Sequence, residues 1–321
     1  MSDSLTAPMA TYVAGNPAVS DRRVAGFLWA TLSVLIFSGW FVITRFSVTR
    51  ELEILDIMAL RFGGGALVFA PMIFRQGRLP AAAWREGLLF CCLWGLPFVL
   101  LVALGLRLTS AAQAASIAPA AMPVFAGIVG RIALGERQGS ARWLGYGAIV
   151  LGLVCLIGAG AAHHGVPNPF GLAALLGAAL LWAVYTIVFR RSGLSAVQAA
   201  ALICTWSAIR FLPVYEFFGL SRLQPASPSE LAFQVIYQGL FMSCLAAVAF
   251  NRAVALLGPS AATAIIALLP VVASLLAIPV LCEIPLPAQW VAIIVIGMGV
   301  CLAAKRPSAR SAFLKRPTQG E

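Results

Sequence analysis

The chain has 321 residues, of which 61% are hydrophobic and only 10% are charged. Soluble domains have about 45–50% apolar and about 25% charged residues, so this chain lacks the charge that a water-exposed surface requires. Its mean hydropathy of +0.95 indicates that lipid is the solvent for most of the surface. The composition therefore excludes an ordinary soluble enzyme, a secreted disulfide scaffold and a disordered chain.

Ten apolar runs follow a polar N-terminal tail at residues 1–23. Each run is about as long as the 20 or so residues that a helix needs to cross the hydrocarbon core of a bilayer. The sequence therefore predicts an all-α polytopic membrane protein with ten transmembrane helices. The predicted spans are 24–46, 54–74, 86–106, 109–130, 143–162, 169–189, 196–218, 231–256, 259–281 and 288–304.

The net charge of +11 comes from 22 basic and 11 acidic residues. In nucleic-acid-binding proteins the basic residues cluster on one face or in one segment, whereas here they lie between the apolar runs. We therefore expect a lipid bilayer and a small-molecule substrate as interaction partners, and no nucleic acid. The sequence has no pattern typical of a metal site or a cofactor site, and we expect neither. Because ten helices can enclose a cavity, we expect a monomer.

The basic residues also predict the orientation in the membrane. If the N-terminus is cytoplasmic, cytoplasmic segments hold 15 of the 22 basic residues, and external segments and helix ends hold four. This distribution is the positive-inside bias of membrane proteins. An excess of arginine over lysine, with abundant alanine, favours a GC-rich bacterial source. We therefore expect a multi-pass protein of a bacterial cytoplasmic (inner) membrane with both termini in the cytoplasm.

The two halves of the chain resemble each other. At an offset of 147 residues the matching pairs are Pro123 with Pro270, Glu136 with Glu283, Trp143 with Trp290 and Gly152 with Gly299. With a small slip, Leu60-Arg61-Phe62 also matches Ile209-Arg210-Phe211. Five helices per half place the halves in opposite orientations, as in many secondary transporters whose substrate site lies near the midplane between the repeats. The sequence predicts a first repeat at 24–162, a second at 168–304 and a basic tail at 305–321.

These motifs, in their order, resemble the drug/metabolite transporter superfamily, in its ten-helix EamA-type branch, over residues 24–304. The first half carries Ser38-Gly39-Trp40, Leu60-Arg61, and Thr109-Ser110-Ala111-Ala112 leading to Pro123 and Gly135-Glu136-Arg137. The second half carries Leu181-Trp182-Ala183-Val184-Tyr185 with Arg190-Arg191, then Ser260-Ala261-Ala262 through Pro270 to Glu283. One departure is Ile284-Pro285 after Glu283, where small residues are expected. The resemblance implies export or exchange of small metabolites by alternating access and leaves the substrate open.

Arg61 and Arg210 are candidate substrate-binding residues because charged side chains at membrane depth usually face a cavity or a partner. In this interpretation they hold the carboxylate of an amino acid or organic acid. The structural alternative is that each arginine binds backbone carbonyls or extends to the membrane interface.

Six further residues are candidates for lining a cavity. The aromatic residues Trp40, Trp182 and Tyr185 have polar tips that need partners when buried, and packing in the core is the alternative role. The polar residues Gln113, Gln238 and Asn251 each need a hydrogen bond within an apolar run.

Pro123 and Pro270 are candidate hinge or gate residues because paired helix breaks point to transporter binding sites, although each proline could make a static kink.

We expect a secondary transporter that exports or exchanges small metabolites, such as amino acids or related organic solutes, and not an enzyme. Neither Lys305 nor Lys315 follows a glycine, so the chain lacks the P-loop of an ATP-driven pump. The alternative is a non-transporting membrane scaffold or sensor. The direction of transport and its coupling to protons are left open.

Overall fold

A computed structural model describes residues 17–48, 52–75, 79–109, 111–135, 138–164, 168–223, 227–281 and 286–304. These residues form helices and no strand. Nine helical stretches in this part of the chain are long and apolar enough to cross a membrane, and a tenth apolar helix near the C-terminus is shorter. The predicted all-α polytopic class with ten spans is therefore confirmed. The predicted basic tail at 305–321 and the Glu136–Glu283 pair lie outside the described residues.

The ten spans, labelled α1 to α10, agree with the predicted runs to within a few residues at most of their ends. Their bounds are α1 Pro17–Val48, α2 Ile54–Arg75, α3 Ala81–Trp94 followed by Leu96–Leu108, α4 Ala111–Leu134, α5 Ser140–His164, α6 Pro169–Ser192, α7 Ala196–Phe217, α8 Pro228–Leu257, α9 Pro259–Ile266 followed by Leu269–Leu281, and α10 Pro287–Ala304. The largest difference is at α1, which begins at Pro17, so part of the predicted tail is helical.

Side-chain caps fix the starts of three spans. Asn168 Oδ1 accepts hydrogen bonds from the first backbone N–H groups of α6. Ser195 and Gln198 form a reciprocal capping box at α7, and the Ser227 hydroxyl accepts from Glu230 N at α8. Each cap satisfies N–H groups that have no partner within the helix.

Three spans are irregular. Gly95 separates the two segments of α3, and α8 contains a π-helical segment, Val235–Ala246. The helix of α9 is interrupted at Ala267 and Leu268, just before Pro270, which has no N–H to donate. Pro123, by contrast, lies inside the continuous helix of α4. The expectation of matching interruptions at the two prolines is therefore met in α9 and not in α4.

Packing between the spans follows a two-fold pattern. Each span from α1 to α5 has its counterpart five spans later, so that α1 corresponds to α6 and α5 to α10. Under this correspondence, the contacts of α1 with α8 and α9 match those of α6 with α3 and α4, and the α2–α8 contact matches the α7–α3 contact. Three pairs, α2–α7, α4–α9 and α5–α10, consist of a span and its own counterpart. This is the packing that an inverted five-helix repeat produces, with the three self-paired contacts on its axis.

The helix bounds show that the repeat offset changes along the chain. Ile54–Arg75 and Ala196–Phe217 begin and end 142 residues apart, at 54 and 196 and at 75 and 217. Ser140–His164 and Pro287–Ala304 begin 147 residues apart, at 140 and 287. The difference arises because the connection at 218–227 is longer than the corresponding connection at 76–80.

The offset of 142 residues corrects one match made from the sequence. At this offset Arg61 corresponds to Ile203. The match of Arg61 with Arg210 is therefore wrong by seven residues, about two helical turns. The offset near 147 applies to spans that follow the longer connection at 218–227, and α2 and α7 precede it.

Candidate functional site

Arg61 is a buried cation in α2, with only 5% of its surface exposed. Its guanidinium carbon lies 5.5 Å from the ring centroid of Trp40 and 5.6 Å from that of Phe62. Its Nη1 atom has no hydrogen-bond partner, and no ion pair joins Arg61 to another described residue. Cation–π contacts offset only part of the cost of burying a charge. Arg61 is therefore a cation that the described residues leave without a neutralising anion.

A small cavity adjoins Arg61 between the two halves of the chain. The space that a water centre can occupy there is about 10 Å³, roughly what one water molecule needs. The walls come from α2, α3, α7 and α8, which are two pairs of inverted counterparts, so the cavity lies near the pseudo-two-fold axis. The lining residues are Arg61, Phe62, Trp94, Ala200, Ile203, Cys204, Met242, Ser243 and Ala247.

The cavity is symmetric in position and asymmetric in charge. At the offset of 142 residues, Arg61 corresponds to Ile203 and Phe62 to Cys204, and all four line the cavity. One half of the repeat therefore contributes a cation where the other half contributes an apolar side chain.

The π-helical segment of α8 packs closely against α2 beside Arg61. A Cβ atom added to Gly64 would lie 2.8 Å from Gly239 Cα, so only glycine permits this approach. The Ser243 hydroxyl lies 2.6 Å from the carbonyl oxygen of Arg61 and 2.8 Å from that of Gln238. Single-turn π segments frequently occur at functional sites, and this longer one brings a hydroxyl to the backbone of the buried arginine.

A chain of hydrogen bonds leads from Trp40 along one face of α8. Trp40 Nε1 donates to Gln238 Oε1 at 3.0 Å, and Gln238 Nε2 donates to Gln234 Oε1 at 3.0 Å. Gln234 Nε2 in turn donates to Glu230 Oε1 at 3.2 Å, near the predicted external end of α8. Both glutamines are fully buried. Trp40 and Gln238 were candidates from the sequence and Gln234 was not, although its spacing of four residues from Gln238 along one helix face could have indicated it.

Trp182 belongs to an aromatic cluster that reaches the cavity through Trp94. Its ring centroid lies 5.8 Å from that of Trp94, 5.5 Å from that of Phe37 and 5.5 Å from that of Phe250. The Nε1 atoms of Trp94 and Trp182 have no hydrogen-bond partner among the described residues. Of the two, only Trp94 lines the cavity, so its indole N–H is a donor there. Trp94 was not a candidate from the sequence because a tryptophan in an apolar run resembles core packing.

Tyr185 and Asn251 are brought together, and their polar groups bind each other. The Tyr185 hydroxyl donates to Asn251 Oδ1 at 2.7 Å, and Asn251 Nδ2 donates to the carbonyl oxygen of Ala196 at 3.4 Å. The Tyr185 ring stacks on Trp94 with centroids 4.8 Å apart. These two residues connect α6, α7 and α8 behind the aromatic cluster.

Arg210 does not join Arg61 at the cavity. Its side chain is exposed, and its Nη1 atom contacts Cys92 Sγ at 3.5 Å. It lies seven residues beyond Ile203, which is about 10 Å further along α7. The side chain of Gln113 lies outside the part of the chain that the structure describes.

Pro123 and Pro270 are both buried, in spans that pack against each other near the axis. At the interruption of α9, the Ser38 hydroxyl donates to the carbonyl oxygen of Leu269 at 3.2 Å. The sequence motif that contains Trp40 is therefore also in contact with the break before Pro270.

Comparisons with known proteins agree with this architecture. The model of the EamA-like transporter family matches residues 24–158 and 169–304, once in each repeat. A crystal structure described only as that of a protein has the same fold, with a TM-score of 0.64 and 20% identity over 92% of this chain and 99% of the other. No curated protein matches the chain significantly. The chain is a multi-pass membrane protein that belongs to the EamA-like transporter family.

Proposed function

We propose that this chain is a secondary transporter that exports or exchanges small carboxylate-bearing metabolites, amino acids or related organic solutes, by alternating access. Membership of a family of small-solute transporters supports the general activity. The observation that supports a carboxylate substrate is Arg61, which lies beside a cavity between the repeats and whose buried Nη1 atom has no partner among the described residues. Arginine binds carboxylates through parallel, charge-assisted hydrogen bonds, so a substrate carboxylate would supply the missing anion.

The size and position of the cavity support a moving carrier. Because its space is about that of one water molecule, an organic anion can enter only when the surrounding helices separate. The walls belong to inverted counterparts, so equivalent movements of either half can open the cavity to opposite sides of the membrane.

Flux through the purified chain in liposomes tests this function. Labelled carboxylates are measured in counterflow for the natural chain and for Arg61→Gln, Arg61→Lys and the control Arg210→Gln, which alters an exposed arginine. In Arg61→Gln the substrate carboxylate loses its buried charge partner, which is expected to reduce kcat/KM by about 100-fold. Arg61→Lys is expected to fall between the natural chain and Arg61→Gln because lysine cannot bind a carboxylate bidentately. Arg210→Gln should transport normally. Equal flux for Arg61→Gln and the natural chain would refute the assignment of Arg61.

We also propose that the protein lies in a bacterial inner membrane with both termini cytoplasmic. The support is the distribution of basic residues, 15 on the proposed cytoplasmic side against four on the other. Fusing either a green fluorescent protein or an alkaline phosphatase to the C-terminus tests the orientation. Fluorescence without phosphatase activity is expected, and the reverse result would invert the proposed topology.

A further inference from the structure

The cavity beside Arg61 presents hydrogen-bond donors and apolar surface, and no carboxylate from the part of the chain that the structure describes. Among its lining residues only Arg61 is charged. Trp94 Nε1 can donate but not accept, and it has no partner in the structure. The Ser243 hydroxyl is within hydrogen-bond distance of two backbone carbonyls, and Cys204 Sγ donates to the carbonyl oxygen of Ser243 at 3.8 Å. Because Ser243 and Cys204 already donate to backbone carbonyls, the donors left for a substrate are Arg61 Nη1 and Trp94 Nε1. These two groups suit an oxygen anion, and no lining residue gives a substrate ammonium a side-chain anion to bind.

The buried carboxylate of α2 is already fully bound. Asp56 lies five residues before Arg61, and its side chain is completely buried. Its Oδ1 atom accepts from the Tyr215 hydroxyl at 2.5 Å and from Arg222 N at 2.9 Å. Its Oδ2 atom accepts from Glu53 N at 2.9 Å. Asp56 therefore holds the α7–α8 connection against the start of α2 and is not placed to receive a substrate ammonium.

The remaining walls favour an apolar substrate body. Phe62, Ile203 and Met242 line the cavity together with three small or weakly polar residues, Ala200, Cys204 and Ala247. A carboxylate bound to Arg61 would therefore place the adjacent carbon skeleton against apolar side chains.

Provided that carboxylates are transported at Arg61 as proposed above, we infer that, among them, monoanionic organic acids with an apolar body are preferred to zwitterionic amino acids. In an α-amino acid the ammonium is attached to the carbon next to the carboxylate, so it must enter the same desolvated space. There it would lack an anion and would be repelled by Arg61. A 2-hydroxy or 2-oxo acid of the same skeleton has no such charge.

Matched substrates that differ only at the second carbon test this inference. Counterflow into liposomes containing the natural chain is measured for leucine, 2-hydroxy-4-methylpentanoate and 4-methyl-2-oxopentanoate, and for phenylalanine and phenylpyruvate. We expect kcat/KM at least about tenfold higher for each hydroxy or oxo acid than for its amino acid, because an unpaired ammonium is expelled from an apolar site. Quenching of tryptophan fluorescence gives an independent measure of binding, since Trp40 and Trp94 lie beside Arg61 or its cavity.

The outcomes separate this inference from the proposed function. Equal or faster transport of leucine and phenylalanine would overturn the preference for monoanions and leave carboxylate transport intact. Transport of none of these compounds or of other carboxylates would overturn the proposed function itself. If Arg61→Gln transports the acids as fast as Arg210→Gln does, the preference exists but does not arise at this cavity. That result also overturns the inference.

Discussion

Trp40 connects the buried cation to the polar chain of α8. Its Nε1 atom donates to Gln238 Oε1 at 3.0 Å, while its ring lies 5.5 Å from the guanidinium carbon of Arg61. Trp40 belongs to α1, whose Ser38 hydroxyl also contacts the break in α9. A shift of the indole when an anion binds Arg61 would therefore reach α8 directly through Gln238, and a shift of this turn of α1 would reach α9 through Ser38.

The first prediction concerns the bond between Trp40 and Gln238. In Gln238→Leu, the Trp40 N–H and Gln234 Oε1 lose their buried partner, and the free energy of unfolding should fall by about 1–2 kcal/mol. Thermal unfolding in detergent micelles measures this loss. The loss from Gln238→Leu should be smaller in the background of Trp40→Phe, because the indole donor is then already absent.

The exposed Leu240 provides a control on the same helix. Leu240→Ala should change the stability by no more than about 0.5 kcal/mol. Strictly additive effects of Trp40→Phe and Gln238→Leu would show that this hydrogen bond contributes nothing to stability.

The second prediction concerns the crossing of α2 and α8. Gly64→Ala would place a Cβ atom 2.8 Å from Gly239 Cα, and backbone cannot yield as a side chain can. The helices must separate, so we expect a loss of about 1–3 kcal/mol and reduced transport. Gly63→Ala is the matched control, because its Cβ atom would lie 3.6 Å from Leu212 Cδ1, an ordinary contact distance. Thermal unfolding and flux of the two variants side by side test the prediction, and equal behaviour would contradict it.

The spans could be predicted from the sequence because each one must satisfy its backbone hydrogen bonds internally in lipid. Ile54–Arg75 and Ala196–Phe217 match the predicted runs closely for this reason. Composition also singled out Trp40, Arg61 and Gln238, which the structure brings together, because polar groups are rare and costly in apolar runs.

The sequence alone could not determine which residues of the two repeats correspond in α2 and α7, nor which helices a given side chain faces. Arg210 shares its residue type and neighbours with Arg61, but the true counterpart of Arg61 is Ile203, because the connection between α7 and α8 is longer than that between α2 and α3. Trp94 was missed because an aromatic side chain in an apolar run gives no sign of which helices it faces. The π-helical segment at Val235–Ala246 contacts α2 through the Ser243 hydroxyl and the carbonyl oxygen of Arg61, a long-range contact that local propensity does not encode.

The third prediction concerns Asp56 and Tyr215, which join α2 to α7 at 2.5 Å. Asp56→Asn replaces a charged acceptor of three hydrogen bonds with a neutral amide that has only one acceptor atom. We expect the free energy of unfolding to fall by about 1–3 kcal/mol, measured by thermal unfolding. Glu216→Gln, which alters an exposed neighbour of Tyr215, should have no measurable effect. If Asp56→Asn and Tyr215→Phe together cost the sum of their single effects, the two side chains are not coupled.

The last prediction tests the break in α9 as a hinge. Pro270 cannot donate a hydrogen bond to the carbonyl oxygen of Ile266, and the turn before it is tightened by a bond from Leu268 N to Ile265 O at 3.0 Å. Pro270→Ala restores the missing N–H and favours a continuous helix. If bending at this break accompanies alternating access, the turnover rate should fall about tenfold while KM changes little, since a hinge limits conformational steps more than binding.

Pro123→Ala is the matched control for the hinge, because Pro123 lies in the corresponding span but within a continuous helix. Adding an N–H there should leave the shape of α4 unchanged, and we expect turnover close to that of the natural chain. Liposome flux at saturating substrate gives the turnover rate of each variant, and flux over a range of concentrations gives KM. Normal turnover in Pro270→Ala would mean that the break is a static kink, whose effect is limited to bringing Leu269 within reach of the Ser38 hydroxyl. Slow turnover in both variants would instead assign the moving part to the α4–α9 contact, because both prolines lie in these two paired spans.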